Sequence, residues 1–335
     1  MPDALTTELP PIPVLDTGLD FPLTSLRAHE ARAHRLLDRA TRRVPKAALR
    51  SLDAISRRWL ARSCPDHLAE IDAVAAVLRR PGAHFLSVSY EWGCTCLAAP
   101  SPDGRSARLI RVLDWRTAGL GENVIAVRVQ SPPGPFVTLT WPGYTGVLQA
   151  MAPRRFSAAL NQAPMRSPAG VYAVDWAMNR RRVWTSCAST PSHLLRHVFA
   201  AATTFAEAVE MLTATPIAAP CIYIVAGLAP DETAVIERSE TAASVARGGS
   251  QAAANHWSIA PWPSRARGHD SAGRARRMAD VTPHLDASLP WLRAPILNPL
   301  TRLVMIGDAA SGQVVARGIE REAPATAPLC LSMAD

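Results

Sequence analysis

Lysine is almost missing from this 335-residue chain: Lys46 is the only one among 36 basic residues. So strong an arginine bias is what a GC-rich bacterial genome is expected to produce, without selection at each site. No apolar run approaches the roughly 18 residues that cross a bilayer, so no membrane-spanning helix is expected. The first twenty residues hold four acids (Asp3, Glu8, Asp16, Asp20) and no base. They do not read as a secretory signal, and a cytoplasmic protein is expected. Cys64, Cys94, Cys96, Cys187, Cys221 and Cys330 lack the paired spacing of a zinc site. Without a signal, a disulfide framework is not expected either, which leaves thiols for chemistry. Internal repeats and a glycine-rich phosphate loop are also lacking, and no cofactor is expected.

What is present suits a buried core: 48% of residues are hydrophobic and 19% charged. The 29 prolines concentrate in connectors such as Pro132-Pro133-Gly134-Pro135 and read as punctuation. Between Arg27 and Arg62, eleven basic residues face only Glu30, Asp38 and Asp53, which accounts for the whole net charge of +8. Three readings stand for that stretch: a solvated helix face, attraction to an anionic membrane, and nucleic-acid binding. No recognition motif accompanies the charge, so nucleic acid is not expected as a partner.

Residues 1–22 are proline-rich and read as extended. From Ser25 to Arg80 apolar residues recur at spacings of three and four, as in two or three helices, the last over Asp66 to Leu78 and ended by Pro81-Gly82. The texture then changes to strands: Phe85–Tyr90, Cys94–Ala99, Ala107–Leu113, Val124–Val129, Phe136–Trp141, Thr145–Gln149 and Phe156–Leu160. Helices fit Ser192–Ala202 and Thr204–Thr213, followed by strands over Ile222–Ala226 and Thr233–Arg238. A helix over Gly273–Asp280 and a hairpin turning near Gly307-Asp308 close the chain. Strands and helices in separate bunches argue α+β rather than alternating β-α-β.

The most informative stretch is Tyr90-Glu91-Trp92-Gly93-Cys94-Thr95-Cys96, followed by Arg111-Val112-Leu113-Asp114-Trp115. On one hairpin it sets a thiol against an arginine and a carboxylate, the proton acceptor and positive field a thiolate needs. A lone strand cysteine is otherwise a small core residue. From Tyr90 to Met278 the chain resembles the linear-amide C–N hydrolases: acid ceramidase, N-acylethanolamine acid amidase and, more remotely, the bile salt hydrolases and penicillin acyltransferases. The resemblance rests on Tyr90-Glu91, Cys94-Thr95, Gly104 and Arg111-x-x-Asp114-Trp115. It continues through Gly146, the hairpin Phe156–Asn161, Ala254-Asn255-His256-Trp257, and Asp270-Ser271 leading to Arg274.

The resemblance implies a four-layer αββα sandwich of the N-terminal-nucleophile type, made as a precursor that cuts itself between Gly93 and Cys94. Residues 1–93 would be a helical α-subunit and 94–335 the catalytic β-subunit, giving an α/β heterodimer from one chain. A nucleophile that is also the first residue carries its own base, because an α-amine near pKa ~8 lies close to a thiol near ~8.5. Asp114 would hold that amine and Arg111 would flank the thiol. The side-chain amide of Asn255 would donate to the oxyanion, a contribution of ~2.7–4 kcal/mol. Asn161 and Arg274 would bind substrate. The implied substrate is an N-acyl amide, plausibly a fatty-acyl amide such as a ceramide or N-acylethanolamine, with transfer of the acyl group to an amine as an alternative outcome. From another class comes a non-catalytic protein that uses the basic helices on a membrane or nucleic acid.

The sequence departs from the family in three places. Cys96 stands where relatives place serine or threonine and competes for the nucleophile's role. The interval from Cys94 to Arg111 is a residue longer than in acid ceramidase, which a hairpin turn absorbs. His256 directly follows Asn255 and invites a cysteine–histidine reading that this chemistry does not need. Asn161 doubles as a strand-ending turn residue. Trp92, Trp115, Trp141, Trp176, Trp184 and Trp257 serve equally as core packing or as an acyl pocket.

Overall fold

A computed structural model describes residues 8–88 and 92–333. The Tyr90-Glu91 pair and the end of the strand expected over Phe85–Tyr90 therefore lie outside the described residues. The chain begins with β1 (Val14–Thr17) and five helices: α1 (Phe21–Ala28), α2 (Glu30–Thr41), α3 (Lys46–Ser63), α4 (Pro65–Leu78) and α5 (Ala83–Ser87). Next come β2 (Trp92–Pro100), β3 (Ala107–Trp115), β4 (Ile125–Val129), β5 (Phe136–Thr140), β6 (Gln149–Ala152), β7 (Phe156–Gln162) and the short β8 (Met165–Arg166). Helices α6 (Tyr172–Thr185), α7 (Pro191–Ala201) and α8 (Phe205–Ala214) lead to β9 (Cys221–Ala226), β10 (Thr233–Arg238), β11 (Ala243–Arg247), β12 (Gln251–Ala253) and β13 (Ser264–Arg265). After α9 (Ser271–Ala279) the chain ends in β14 (Thr301–Asp308), β15 (Gln313–Glu320), β16 (Ala323–Pro324) and β17 (Leu329–Ser332).

Two sheets stack face to face. The first runs β1-β4-β5-β6-β7-β9-β10-β11; the second runs β12-β2-β3-β14-β15, with β16 and β17 both on β15. Strand alternation sorts the side chains into layers. Cys96, Ala98 and Leu109 face Ala159, Ile222 and Ile224 between the sheets. Leu97, Ile110 and Val112 point the other way, onto Met278 of α9 and Leu289 and Ile296 beyond it. Outside the first sheet, Leu160 and Tyr223 meet Leu195 and Val198 of α7 and Leu212 of α8. The architecture is thus α+β, in four layers α-β-β-α. Among the described residues no helix is long and apolar enough to cross a membrane.

The N-terminal segment is built into this body. Strand β1 pairs in parallel with β4 at the edge of the first sheet, although the proline content around it suggests only extended chain. Trp59 Nε1 donates to Val183 O at 2.8 Å and Ser63 Oγ to Ser186 O at 2.9 Å. Part of the basic stretch fastens helices while staying exposed: Arg35 donates to Asn123 Oδ1 (3.2 Å), Arg39 to Glu122 Oε2 (2.9 Å) and Arg62 to Trp184 O (3.0 Å).

Two expected strands are corrected. Residues Ala83–Ser87 are helical, pinned where Asp53 Oδ1 accepts from Phe85 N (2.9 Å) and where His84 bridges Asp53 and Asp72. A short apolar run reads the same in either structure, and these tertiary contacts decide it. The strand expected over Thr145–Gln149 begins only at Gln149, because Thr145 is held by His193 Nε2 at 3.0 Å. The last hairpin turns after Asp308, not at Gly307-Asp308.

That His193 forms a buried seam with the N-terminal helices. Its ring stacks on His67 at 4.4 Å, its Nδ1 lies 2.6 Å from Thr190 Oγ1, and Arg196 beside it binds Glu70. Burial, with the Arg196 cation close by, brings His67 from 6.5 down to about 4, and pushes His193 well below its ordinary value in the same direction. The unfolded chain therefore takes up protons that the folded one refuses. Stability is full above pH 6.5 and falls as pH drops towards 4, by about 3 kcal/mol for His67 alone. Urea unfolding at pH 7.5 and 4.5 checks this: His67→Gln should remove much of the pH dependence, and an unchanged slope in that variant would refute it.

Candidate active site

Strand β2 is paired on both sides only over part of its length. On one side β3 runs beside all of it, with Gly93 opposite Asp114, Cys94 opposite Leu113 and Cys96 opposite Arg111. On the other side β12 covers Cys96 to Ala98 and ends at Ala253. Beyond that end, side chains take the place of a strand. Asn255 Oδ1 accepts the Cys94 N–H at 2.8 Å, and Arg274 Nη1 donates to Cys94 O at 2.7 Å. The backbone of Cys94 is thus satisfied without being covered.

Arg274 links the outer face of β2 together. It rises from α9, whose Asp270 N-cap accepts from Gly273 N, and is fully buried. Its Nη1 also reaches Thr95 Oγ1 (2.7 Å) and Asp114 Oδ2 (3.2 Å), while Nη2 donates to Asn255 Oδ1 (3.0 Å). Asp114 Oδ1 accepts from Thr301 Oγ1 at 2.9 Å. Burial raises the Asp114 carboxyl above the usual carboxylate range, and Arg274 opposes that rise. A Cβ on Gly93 would lie 3.2 Å from Asp114 Cβ, so glycine lets the peptide lie close against this carboxylate.

Two donors on Oδ1 fix which way the Asn255 amide points. Its Nδ2 donates to Gln162 O at 2.7 Å, so carbonyl and not amide faces Cys94. This differs from the expected oxyanion donor. The competing contacts of Arg274 and Gln162 lie far off in sequence, which is why the motif alone does not reveal it.

The thiols lie on the inner face with Arg111. Arg111 Nη1 is 3.5 Å from Cys96 Sγ and donates to Asn161 Oδ1 at 2.5 Å; Cys96 Sγ donates to the same oxygen at 3.0 Å. Asn161 Nδ2 bonds the carbonyls of Ala253 (3.2 Å) and Ala254 (3.1 Å). Cys94 Sγ points to Leu160 O at 3.8 Å. Burial pushes the Cys94 thiol up to about 12 despite the Arg111 cation, so it is a neutral thiol at physiological pH. Arg111 is fully buried, and its Nε and Nη2 have no hydrogen-bond partner among the described residues.

Cys94, Arg111, Asp114, Asn161, Asn255 and Arg274 therefore converge on one end of β2. His256 does not join the thiols: its Nδ1 bonds Ser271 Oγ at 2.8 Å, the same oxygen that accepts from Asn255 N at 2.8 Å. Sequence reasoning missed Glu237. This buried carboxylate accepts from Ser258 N (2.6 Å), Ile259 N (3.1 Å) and Ala260 N (2.7 Å), and so pins the loop that carries Asn255. Nothing local in the sequence marks it.

Two cavities meet at Trp92 and Gln162. One, of 290 Å³, is mainly apolar and includes Phe85, Val88, Trp176 and Trp184 beside Leu160 and Asn161. The other, of 470 Å³, reaches Gly93 and Asp114 from the opposite side. Of the six tryptophans weighed as core or pocket, Trp92, Trp176 and Trp184 line the apolar cavity; Trp115 and Trp141 pack edge-on to each other, and Trp257 meets Trp262.

No family model and no curated protein matches the chain. Among solved structures it is similar to an N-acylethanolamine-hydrolyzing acid amidase ortholog of Caenorhabditis elegans, at 22% identity over 64% of this chain and 92% of that one, with a TM-score of 0.49. It is also similar to two variants of the conjugated bile acid hydrolase of Clostridium perfringens, at 12% and 10% identity over 72% of this chain and 92% of each, with TM-scores of 0.43 and 0.31.

Proposed function

We propose that this chain is a cysteine amidase that cuts itself between Gly93 and Cys94 and then hydrolyses N-acyl amides through an acyl-thioester on Cys94. The observation that carries the reading is the cradle around Cys94 N. The group that becomes the α-amine is held by a side-chain carbonyl, Asn255 Oδ1, with the Asp114–Arg274 pair alongside, and not by a neighbouring strand.

Before cleavage that nitrogen is an amide without basicity and the thiol is neutral, so the precursor is latent. The Cys94 thiol attacks the Gly93 carbonyl, the C–N bond breaks, and water hydrolyses the resulting thioester to leave a free amine on Cys94. In each later turnover the amine takes the thiol proton while sulfur bonds to the substrate carbonyl. The proton passes to the leaving amine, and water then releases the acid. Arg111 supplies positive field at the sulfur, and its two remaining nitrogens are the donors available to the developing oxyanion. The segment 1–93 stays attached after cleavage through the pairing of β1 with β4 and the Trp59 and Ser63 contacts.

Intact mass of the purified protein, beside Cys94→Ala and Cys96→Ala, tests this after incubation at mildly acidic and neutral pH. Two fragments, the second beginning at Cys94 and absent only in Cys94→Ala, are expected. An uncut chain under every condition would sink the mechanism and leave the fold as described.

A further inference from the structure

The amidase mechanism leaves Cys96 unused, although this fully buried thiol sits two places along β2 from the nucleophile. At that spacing the two side chains share one face of the strand. Burial raises both thiols, and the Arg111 cation opposes the rise at each. In the uncut chain their sulfurs are kept from joining. Same-face neighbours on a strand carry Cβ atoms about 6.6 Å apart, against roughly 3.5–4.5 Å across a disulfide. Cys94 is fastened at both ends: Asn255 Oδ1 accepts its N–H, Arg274 holds its carbonyl, and Gly93 continues the strand opposite Asp114. Cys96 is held between β3 and β12. Cleavage after Gly93 releases one of these anchors. Cys94 then becomes a chain end, and rotation about its Cα–C bond swings Cβ towards Cys96 while Arg274 keeps hold of the oxygen.

We infer that Cys96 is a resolving thiol: hydrogen peroxide oxidises Cys94 to a sulfenic acid, and Cys96 closes it into a reversible Cys94–Cys96 disulfide that blocks the nucleophile. This rests on the self-cleavage reading, which also supplies access, since a passage that admits a substrate carbonyl admits a peroxide. In the first step the Cys94 sulfur, its proton taken by the α-amine, attacks one peroxide oxygen. The O–O bond breaks, sulfur is oxidised, and the other oxygen leaves as water. In the second step the Cys96 sulfur attacks the sulfenyl sulfur and the S–O bond breaks. The hydroxide leaves with the Cys96 proton as a second water. Two thiols and one peroxide thus give one disulfide and two waters. A bridge between same-face neighbours is strained, so external thiols reduce it readily. It also spares Cys94 the irreversible step to a sulfinic acid.

The test treats the full processed chain, wild type and Cys96→Ser, with excess hydrogen peroxide, and then gives half of each sample dithiothreitol. The mass of the peptide beginning at Cys94 is read after unfolding, with and without N-ethylmaleimide. In wild type the peroxide-treated peptide should lose two hydrogens and take up no label. After dithiothreitol it should label at both thiols. In Cys96→Ser the peptide should instead gain oxygen at Cys94, and less than about a tenth of its Cys94 should regain labelling after dithiothreitol. Self-cleavage of Cys96→Ser shows that the variant folds. A wild-type peptide that gains oxygen at Cys94, or that still labels at Cys96 after peroxide, overturns the inference and leaves the self-cleavage reading standing. A chain that never yields a fragment beginning at Cys94 overturns both.

Discussion

Cys94→Ala should yield an uncut chain with amidase turnover lowered by about 10⁴-fold or more, the usual consequence of deleting a nucleophile. Cys96→Ala should still process itself and keep most of its activity. The two cysteines share a face of β2 and both lie near Arg111, so the thiols alone do not separate them. Their backbones do. Cys96 is flanked by strands on both sides, opposite Arg111 on β3 and Ala253 on β12, and a cut at its peptide nitrogen would sever the sheet. Cys94 lies two residues past the last pair with β12, where, among the described residues, the Asn255 and Arg274 side chains bond its backbone on that side. Turnover of an N-acyl amide with mass analysis of each variant decides the matter. Processing that survives in Cys94→Ala and fails in Cys96→Ala would transfer the role to the second thiol.

Much of the fold is legible in the sequence where side chains alternate against a covered face. Thr233–Arg238 reads as a strand because a short apolar run suits an interior strand buried on both faces. Helix α6 escapes for the opposite reason. Val174, Trp176 and Met178 remain exposed while Asp175 is its buried residue, so no core-facing stripe marks it. Strand β12 is three residues of Gln-Ala-Ala with no pattern of its own, recognisable only by its pairing with β2. The candidate site divides along the same line. Its members can be found from motif order, but their atoms' assignments cannot. Whether Asn255 presents a carbonyl or an amide to Cys94 depends on where β12 stops, on Arg274 arriving from α9, and on Gln162 O waiting on the other side. Glu237, which steadies that loop from the first sheet, has no neighbour in sequence that announces it.

Arg274→Met should destabilise the fold by about 3–5 kcal/mol at neutral pH, because it keeps the bulk of the side chain and removes one member of a buried ion pair. Asp114 would remain nearly buried with Thr301 and Asn298 as donors and only the weaker influence of Arg111 as a cation, and Cys94 O and Thr95 Oγ1 would lose their Arg274 donor as well. The sign of the pH dependence follows. Burial already raises the Asp114 carboxyl, and Arg274 is the first influence holding it down. Without Arg274 the folded-state value climbs further above the unfolded one, so the folded variant binds a proton that the unfolded chain releases. Its stability therefore recovers as pH falls through that raised value, and the deficit relative to wild type should be smaller at pH 5 than at pH 7.5. Adding Asp114→Asn to Arg274→Met should restore part of the loss, since the stranded charge is then gone. Urea unfolding of the four proteins at the two pH values checks this. An equal deficit at both, with no recovery in the double variant, would mean that Arg274 acts through its neutral hydrogen bonds to Cys94 and Asn255 and not through its charge. Arg274 would then organise the nucleophile's backbone directly, and Asp114 would be held in place by Thr301.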